Sequence, residues 1–297
     1  MAEYRGRFAP SPTGPLHFGS LVAALGSYLD ARQHQGRWLL RIEDVDPQRE
    51  QKGASDLILK TLERYHLFWD EQVLYQSRRN HFYEEHCVQL LSEKRAFYCT
   101  CSRSSLGDST QVYPGYCRHQ AQPPASKSAA LRFRVDEDEL CFNDRIQGRF
   151  CQHLGRELGD FVIKRKEQYY AYQLAVIVDD AQQGITHVVR GIDLLDNTPR
   201  QIALLRAFSY PEPVYAHLPL VVNENGHKLS KQNRALPLPH DAVHATLLLA
   251  LAALKLNAPV ELLDGSVDDL LHWAVQHWNP ALLANQTHCP CPASLPG

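Results

Sequence analysis

The chain has 297 residues, 44% hydrophobic and 22% charged, which allows a sizeable core and either two domains or one domain with insertions. Its 31 Lys and Arg against 33 Asp and Glu give a net charge of −2, which excludes a uniformly basic nucleic-acid coat but leaves room for local patches, such as "KRK" at 164–166. No apolar run approaches the roughly 20 residues that a bilayer span needs, and the N-terminus lacks the layout of a secretory leader, so a cytoplasmic monomer with no membrane partner is expected.

Short apolar runs at 5–9 and 37–43 predict buried strands, and residues 19–36 between them carry helical spacing that stops at Gly36. Amphipathic helices are expected at 51–66 and 78–95. Strand, helix, strand order predicts a right-handed parallel unit whose ligand crevice lies at the carboxyl ends of the strands. Residues 1–98 therefore read as the first half of an α/β domain. From about 99 to 130 the composition turns to Ser, Gly, Pro, Gln and Cys, the mark of an inserted loop-rich module, and 99–159 reads as the whole insertion. Strand-like runs at 131–135 and 160–165 restore order, residues 172–180 and 186–195 resume the alternation, and a helix is expected at about 198–208. Residues 160–235 read as the second half of that α/β domain, and 236–297 as a helical C-terminal region with a frayed tail.

The chain has eight cysteines. A disulfide framework has little place in a cytosolic protein, so clustered cysteines point to metal, and the isolated Cys87 and Cys141 to small buried side chains. Cys99, Cys101 and Cys117 put three thiols within 19 residues on a Gly- and Pro-rich loop, a strong cue for structural zinc. Tyr113, Tyr116 and His119 are all in reach as a fourth ligand, and coordination chemistry alone favours His119. Cys289 and Cys291 have no third partner nearby and read as incidental.

Residues 7–21, "RFAPSPTGPLHFGSL", form a turn that leads into a helix start, where free backbone N–H groups and the positive dipole end offer an anion site. Gly14 and Gly19 admit a ligand close to the backbone, and Pro10, Pro12 and Pro15 stiffen the loop. Neither the dinucleotide nor the P-loop glycine fingerprint is present. "HKLSKQ", 227–232, places Lys228, Ser230 and Lys231 on a loop suited to clamping phosphate oxygens. Taken singly, the first stretch reads equally well as an ordinary strand-to-helix turn, and the second reads better as a common surface pattern.

Together, the H-x-G turn and a K-L-S-K roughly 210 residues later resemble the two signatures of class I aminoacyl-tRNA synthetases. "RFAPSPTGPLHFG", "RIEDVDPQR", "YQLAVIVDD" and "VVRGIDLL" are similar to the glutamyl-tRNA synthetase family over about residues 5–235. The resemblance implies an α/β fold with a Rossmann-like parallel sheet, an inserted zinc-binding module and a small C-terminal helical region. It implies ATP with Mg²⁺, bound at His17, Gly19, Lys228, Ser230 and Lys231, with His17, Ser20, Lys228 and Lys231 at the chemistry. It implies an L-glutamate pocket of Arg7, Ala9, Ser11, Glu43, Tyr172 and Arg190, in which the two guanidinium forks take carboxylates and Glu43 takes the ammonium. Its Cys-x-Cys…Tyr-x3-Cys spacing favours Tyr113 over His119 as the fourth zinc ligand.

Three features depart from the family pattern. Ser20 stands where a second histidine is common, Val176 stands where a polar Asn is frequent, and the chain stops about 65 residues after the lysine loop instead of continuing into a large anticodon-binding domain. Ser20 and the early stop are similar to the short branch of the family, which glutamylates queuosine in the tRNA(Asp) anticodon. The implied partners are therefore L-glutamate, ATP and the tRNA(Asp) anticodon loop. The rival readings are acylation of a tRNA 3′ end or another acceptor, and a non-catalytic RNA-binding paralogue. Intact His17, Lys228 and Lys231 weigh against the last.

Overall fold

The computed structural model describes residues 3–106, 112–122, 128–222 and 237–292. Lys228, Ser230 and Lys231 lie outside the described residues. β1 (Arg5–Phe8), α1 (Phe18–Gln33) and β2 (Arg37–Ile42) form the expected first unit, with β1 and β2 parallel from Arg5 opposite Arg37 to Phe8 opposite Leu40. α1 stops at Gln33, and Gln35 rather than Gly36 makes the left-handed turn (φ 53°). Gly36 answers a different need, because a Cβ there would stand 2.4 Å from the Tyr4 carbonyl oxygen. α2 (Ala54–Arg64) leads into β3 (Asp70–Tyr75), a third parallel strand absent from the sequence reading; its polar, half-exposed start hides the alternation at the sheet edge. α3 (Asn80–Ser92) falls within the predicted 78–95.

Alternate residues of a strand face opposite sides, and β2 uses both. Trp38, Leu40 and Ile42 join one core with α1, α2 and the C-terminal helices, while Leu39 joins a second core. Arg41 therefore emerges on the side of Leu39, where it donates to Asp180 (2.7 Å).

The middle of the chain is antiparallel. β4 (Ala96–Cys99), β5 (Ala130–Phe133) and β8 (Phe161–Lys164) make one sheet, with the single-turn α4 (Arg103–Leu106) following β4. β6 (Glu139–Asp144) and β7 (Gly148–His153) make a hairpin that leads into a wide helical turn, Leu154–Leu158. This hairpin corrects the reading of Cys141. It faces Cys151 in register and the two form a disulfide. Each stands three residues outside the Asp144–Gly148 turn, so the hairpin register alone places them opposite one another. Cys87 is the buried free thiol that was expected.

α5 (Tyr172–Gln182), β9 (His187–Gly191), α6 (Thr198–Ala207) and β10 (Val214–Leu218) follow, with β9 and β10 parallel. The chain then runs through β11 (Leu220–Val222), α7 (Val243–Ala253), α8 (Val267–His277) and β12 (His288–Pro290). The expectation of one Rossmann-like parallel sheet needs correction. Parallel pairing among the described residues falls into separate ladders, β1-β2-β3, β9-β10 and β11-β12. β1 and β9 lie side by side, but at their seam Thr186 N–H donates to Arg5 O (3.0 Å) while Arg5 N–H donates to the Thr186 hydroxyl (2.9 Å). A side chain has replaced a backbone acceptor, and the ladder breaks there. The tail reading is corrected for its first part, because β12 pairs in parallel with β11 and buries Cys289, while residues 293–297 lie outside the described residues. Among the described residues no helix is long and apolar enough to cross a membrane.

Candidate active site

The loop after β1 is held in place by its backbone. Glu43 N–H donates to Pro10 O (3.0 Å) and Gln51 N–H to Pro12 O (2.9 Å), which ties the loop to the exit of β2. Gly14 takes φ 134°, a conformation that L side chains rarely adopt. His17 is the N-cap of α1, its Nδ1 accepting from the Ser20 N–H at 3.2 Å. A Cβ at Gly19 would press on the His17 ring at 3.3 Å. The helix start opens onto a cavity of about 440 Å³ whose walls include His17, Gly19 and Ser20 together with Arg7, Ala9, Ser11, Glu43, Tyr172 and Arg190. Nine of the expected residues, drawn from four distant stretches of sequence, thus meet in one crevice.

Charge in this crevice is unevenly satisfied. Arg7 is buried and donates through Nε to Asp180 Oδ1 at 3.1 Å. Arg41, wholly buried, donates to the same oxygen at 2.7 Å and to Gln183 Oε1 at 2.8 Å. Burial alone would raise the Asp180 carboxyl, but Arg41 and Arg7 hold it below its ordinary range. Glu43 is in a different position. Its buried Oε1 has no hydrogen-bond partner, and burial pushes the carboxyl up to about 7 against the pull of Arg41 and Arg7. A buried acceptor left in that state costs free energy that an incoming cation recovers. Arg190 donates from Nε to His217 and from Nη2 to the Thr198 hydroxyl, while its buried Nη1 has no partner.

Tyr172 opens α5, and burial, reinforced by Glu43, raises its phenol. Val176 is fully buried within the second core and is not among the residues lining the cavity, so the substitution at this position leaves the polar lining untouched. A second cavity of about 340 Å³ shares Glu43, Arg49 and Tyr172 with the first and adds Asp46, Arg165 and Tyr170. Arg41, Asp180, Thr198 and His217 escaped the sequence reading. Arg41 and Asp180 stand inside recognised motifs, but only the packing of β2 against α5 makes them partners.

The cysteine cluster lies apart from this crevice. The sulfurs of Cys99, Cys101 and Cys117 all lie within 4.8 Å of one another, with Cys101 and Cys117 at 3.6 Å. The Tyr113 hydroxyl sits 3.5 Å from Cys99 Sγ and 3.7 Å from Cys101 Sγ, and accepts from Cys117 N–H at 2.8 Å. Four donors at tetrahedral corners about 2.3 Å from a zinc ion stand about 3.8 Å apart, so these residues fit the ion. Against the cost of burial, hydrogen bonds to Thr100, Tyr113 and Cys101 bring the Cys117 thiol down to about 7. His119 is not in this group; it lines a separate polar cavity.

Fold and site together define a class. Residues 3–255 match the family described as tRNA synthetases class I (E and Q), catalytic domain, and the chain belongs to it. Among its relatives is a protein of Pseudomonas paraeruginosa named glutamyl-Q tRNA(Asp) synthetase, 52% identical over 295 residues, 99% of this chain and 98% of the relative. A protein of the same name from Pseudomonas putida is 51% identical over 97% of both chains. Among solved structures, a glutamate-tRNA synthetase from Elizabethkingia anophelis superposes with a TM-score of 0.81 at 25% identity, over 98% of this chain and 68% of that one.

Proposed function

We propose that the chain activates L-glutamate with ATP and transfers the glutamyl group to the cyclopentenediol of queuosine in the anticodon of tRNA(Asp). The observation that carries this reading is the single cavity where the α1 N-terminus meets two buried atoms without hydrogen-bond partners, Arg190 Nη1 and Glu43 Oε1, the latter 3.8 Å from Arg41 Nη2. One suits a substrate carboxylate, the other an ammonium, and the helix start suits phosphate. Identity of about half with relatives named glutamyl-Q tRNA(Asp) synthetase supports the choice of acceptor.

In the first step a glutamate carboxylate oxygen attacks the α-phosphorus of ATP, which enters as its Mg²⁺ complex, and the bond to pyrophosphate breaks. His17, Lys228 and Lys231 stabilise the charge that builds on the phosphate oxygens. No side-chain nucleophile is needed, so the protein contributes positioning and electrostatics. In the second step a hydroxyl of the diol attacks the acyl carbon, an ester forms and AMP leaves. The second cavity, beside Glu43 and Tyr172, gives the acceptor its approach. In this reading the chain works in the cytoplasm as a monomer, with the anticodon stem-loop as its macromolecular partner.

Cys99, Cys101, Tyr113 and Cys117 would hold a structural zinc that joins the end of β4 to the loop at 113–117 and takes no part in the chemistry. Metal analysis is expected to give about one zinc per chain, and chelation to lower the melting temperature while sparing activation of glutamate.

Glutamate-dependent ATP–pyrophosphate exchange tests the first step; its absence from the wild type, or its persistence in Lys231→Ala, overturns the enzyme reading. Mapping labelled glutamate on tRNA tests the second. Label on the 3′ adenosine, or equal labelling of tRNA(Asp) that lacks queuosine, overturns the acceptor.

A further inference from the structure

Arg190 on β9 and His217 on β10 are register partners in the parallel ladder. His217 is wholly buried and uses both ring nitrogens. Nδ1 lies 2.6 Å from Asp144 Oδ2, and since a carboxylate can only accept, Nδ1 carries the proton. Nε2 is then an acceptor, and it takes the Arg190 Nε–H at 3.1 Å. Asp144 is itself fixed, its Oδ1 accepting the backbone N–H groups of Ile146 (3.0 Å), Gln147 (2.9 Å) and His217 (3.1 Å). The other side of the guanidinium is held as well, Nη2 donating to the Thr198 hydroxyl at 2.8 Å. Every donor edge of Arg190 is thereby assigned except Nη1, which is buried, has no partner and belongs to a residue lining the 440 Å³ cavity.

We propose that Asp144 and His217 are positioning residues that lock Arg190 so that one guanidinium edge is presented to the carboxylate of the amino-acid substrate. The proposal rests on the glutamate pocket assigned above. A buried histidine is most often plain core, but here both nitrogens belong to a directional chain that ends on a site arginine. Locking matters because a long side chain that is already ordered loses little rotamer freedom when the ligand arrives. The order comes from the β6–β7 hairpin turn, which supplies Asp144. That turn is fastened by Gln147 to His217 O (2.8 Å) and to Gln286 O (2.9 Å).

An arginine that binds substrate equally in the ground and transition states acts on KM and leaves kcat alone. In glutamate-dependent ATP–pyrophosphate exchange with the full chain, His217→Leu is expected to raise the glutamate KM about tenfold or more, with the ATP KM and kcat changed by no more than about threefold. His217→Gln, whose amide oxygen can accept at the former Nε2 position, is expected to recover most of that loss. A soluble His217→Leu with a wild-type glutamate KM overturns the proposal, as does an equal rise in both KM values or a Gln variant no better than Leu. If the Leu variant does not fold, Thr198→Val decides: at nearly constant volume it removes the hydroxyl that accepts from Arg190 Nη2 (2.8 Å) and lies 3.2 Å from His217 Nε2. A rise in the glutamate KM alone supports the proposal, and no rise overturns it. A wild type without exchange would sink the glutamate reading itself, whereas an active wild type with unaffected variants sinks only this one.

Discussion

Glu43 is a carboxylate whose protonation the substrate should control. Burial lifts it to about 7, with Arg41 and Arg7 pulling the other way, and its Oε1, 3.8 Å from Arg41 Nη2, accepts no hydrogen bond. Because the folded value lies above the ordinary 4.5, the ligand-free fold favours the proton; the stability this group contributes is full below about 4.5 and is lost as pH climbs through about 7. Binding an ammonium has the opposite sign, since it needs the ionised form. The glutamate KM is therefore expected to be flat above about pH 7.5 and to rise nearly tenfold per unit below about 6.5. Glu43→Gln is expected to raise KM and flatten that profile, and a wild-type KM unchanged from pH 8 to 6 would refute the assignment. The sequence disclosed Glu43, Arg7 and Arg190 because they stand in contiguous motifs. It did not disclose Asp180, which meets Arg7 and Arg41 from more than a hundred positions away, or His217, which meets Asp144 from 73; those roles exist only once the distant segments are packed together.

The opening turn and α1 act as one element. His17 caps the helix through Nδ1 and also lines the cavity, so any substitution threatens both stability and chemistry. Asparagine separates the two, because it is among the best N-cap residues and lacks the imidazole. His17→Asn is expected to melt within about 2 °C of wild type while losing roughly a hundredfold in exchange rate, the size typical of a lost charge-stabilising donor. Wild-type exchange in a folded His17→Asn protein would remove His17 from the chemistry. α2, with Ile58 and Leu62 buried at helical spacing, was legible from its period, while α1 and β2 were legible as apolar runs bounded by turn signals. β3 was not, being half-exposed and polar at the sheet edge, and neither was the β6–β7 hairpin. The disulfide was legible in principle, since Cys141 and Cys151 are symmetric about a turn, but that symmetry means something only after the hairpin is recognised.

At the scale of the whole molecule, Asp30 on α1 joins four regions distant in sequence. Its buried carboxylate accepts from the Tyr4 hydroxyl before β1, from both Arg145 terminal nitrogens in the hairpin turn (2.7 and 3.1 Å), and from Trp278 Nε1 after α8 (2.8 Å). Burial would raise this carboxyl, yet Arg145 and the other donors hold it below its ordinary value, so its stabilising contribution is complete above about 3.8 and lost only in stronger acid. No local pattern announces such a hub, because an aspartate inside an apolar helix reads as a blemish until its partners arrive. Asp30→Asn keeps the shape but turns one acceptor into a donor facing donors, leaving at least one buried N–H or O–H unmatched. That costs about 2–4 kcal/mol and should lower the melting temperature by about 3–6 °C. Trp278 follows the last helix, so limited proteolysis of the variant should cut first between α7 and the C-terminus, with the N-terminal core persisting as a fragment. A variant that melts like the wild type, or is cut first within residues 3–106, would show that the hub is not what fastens the C-terminal helices to the catalytic fold.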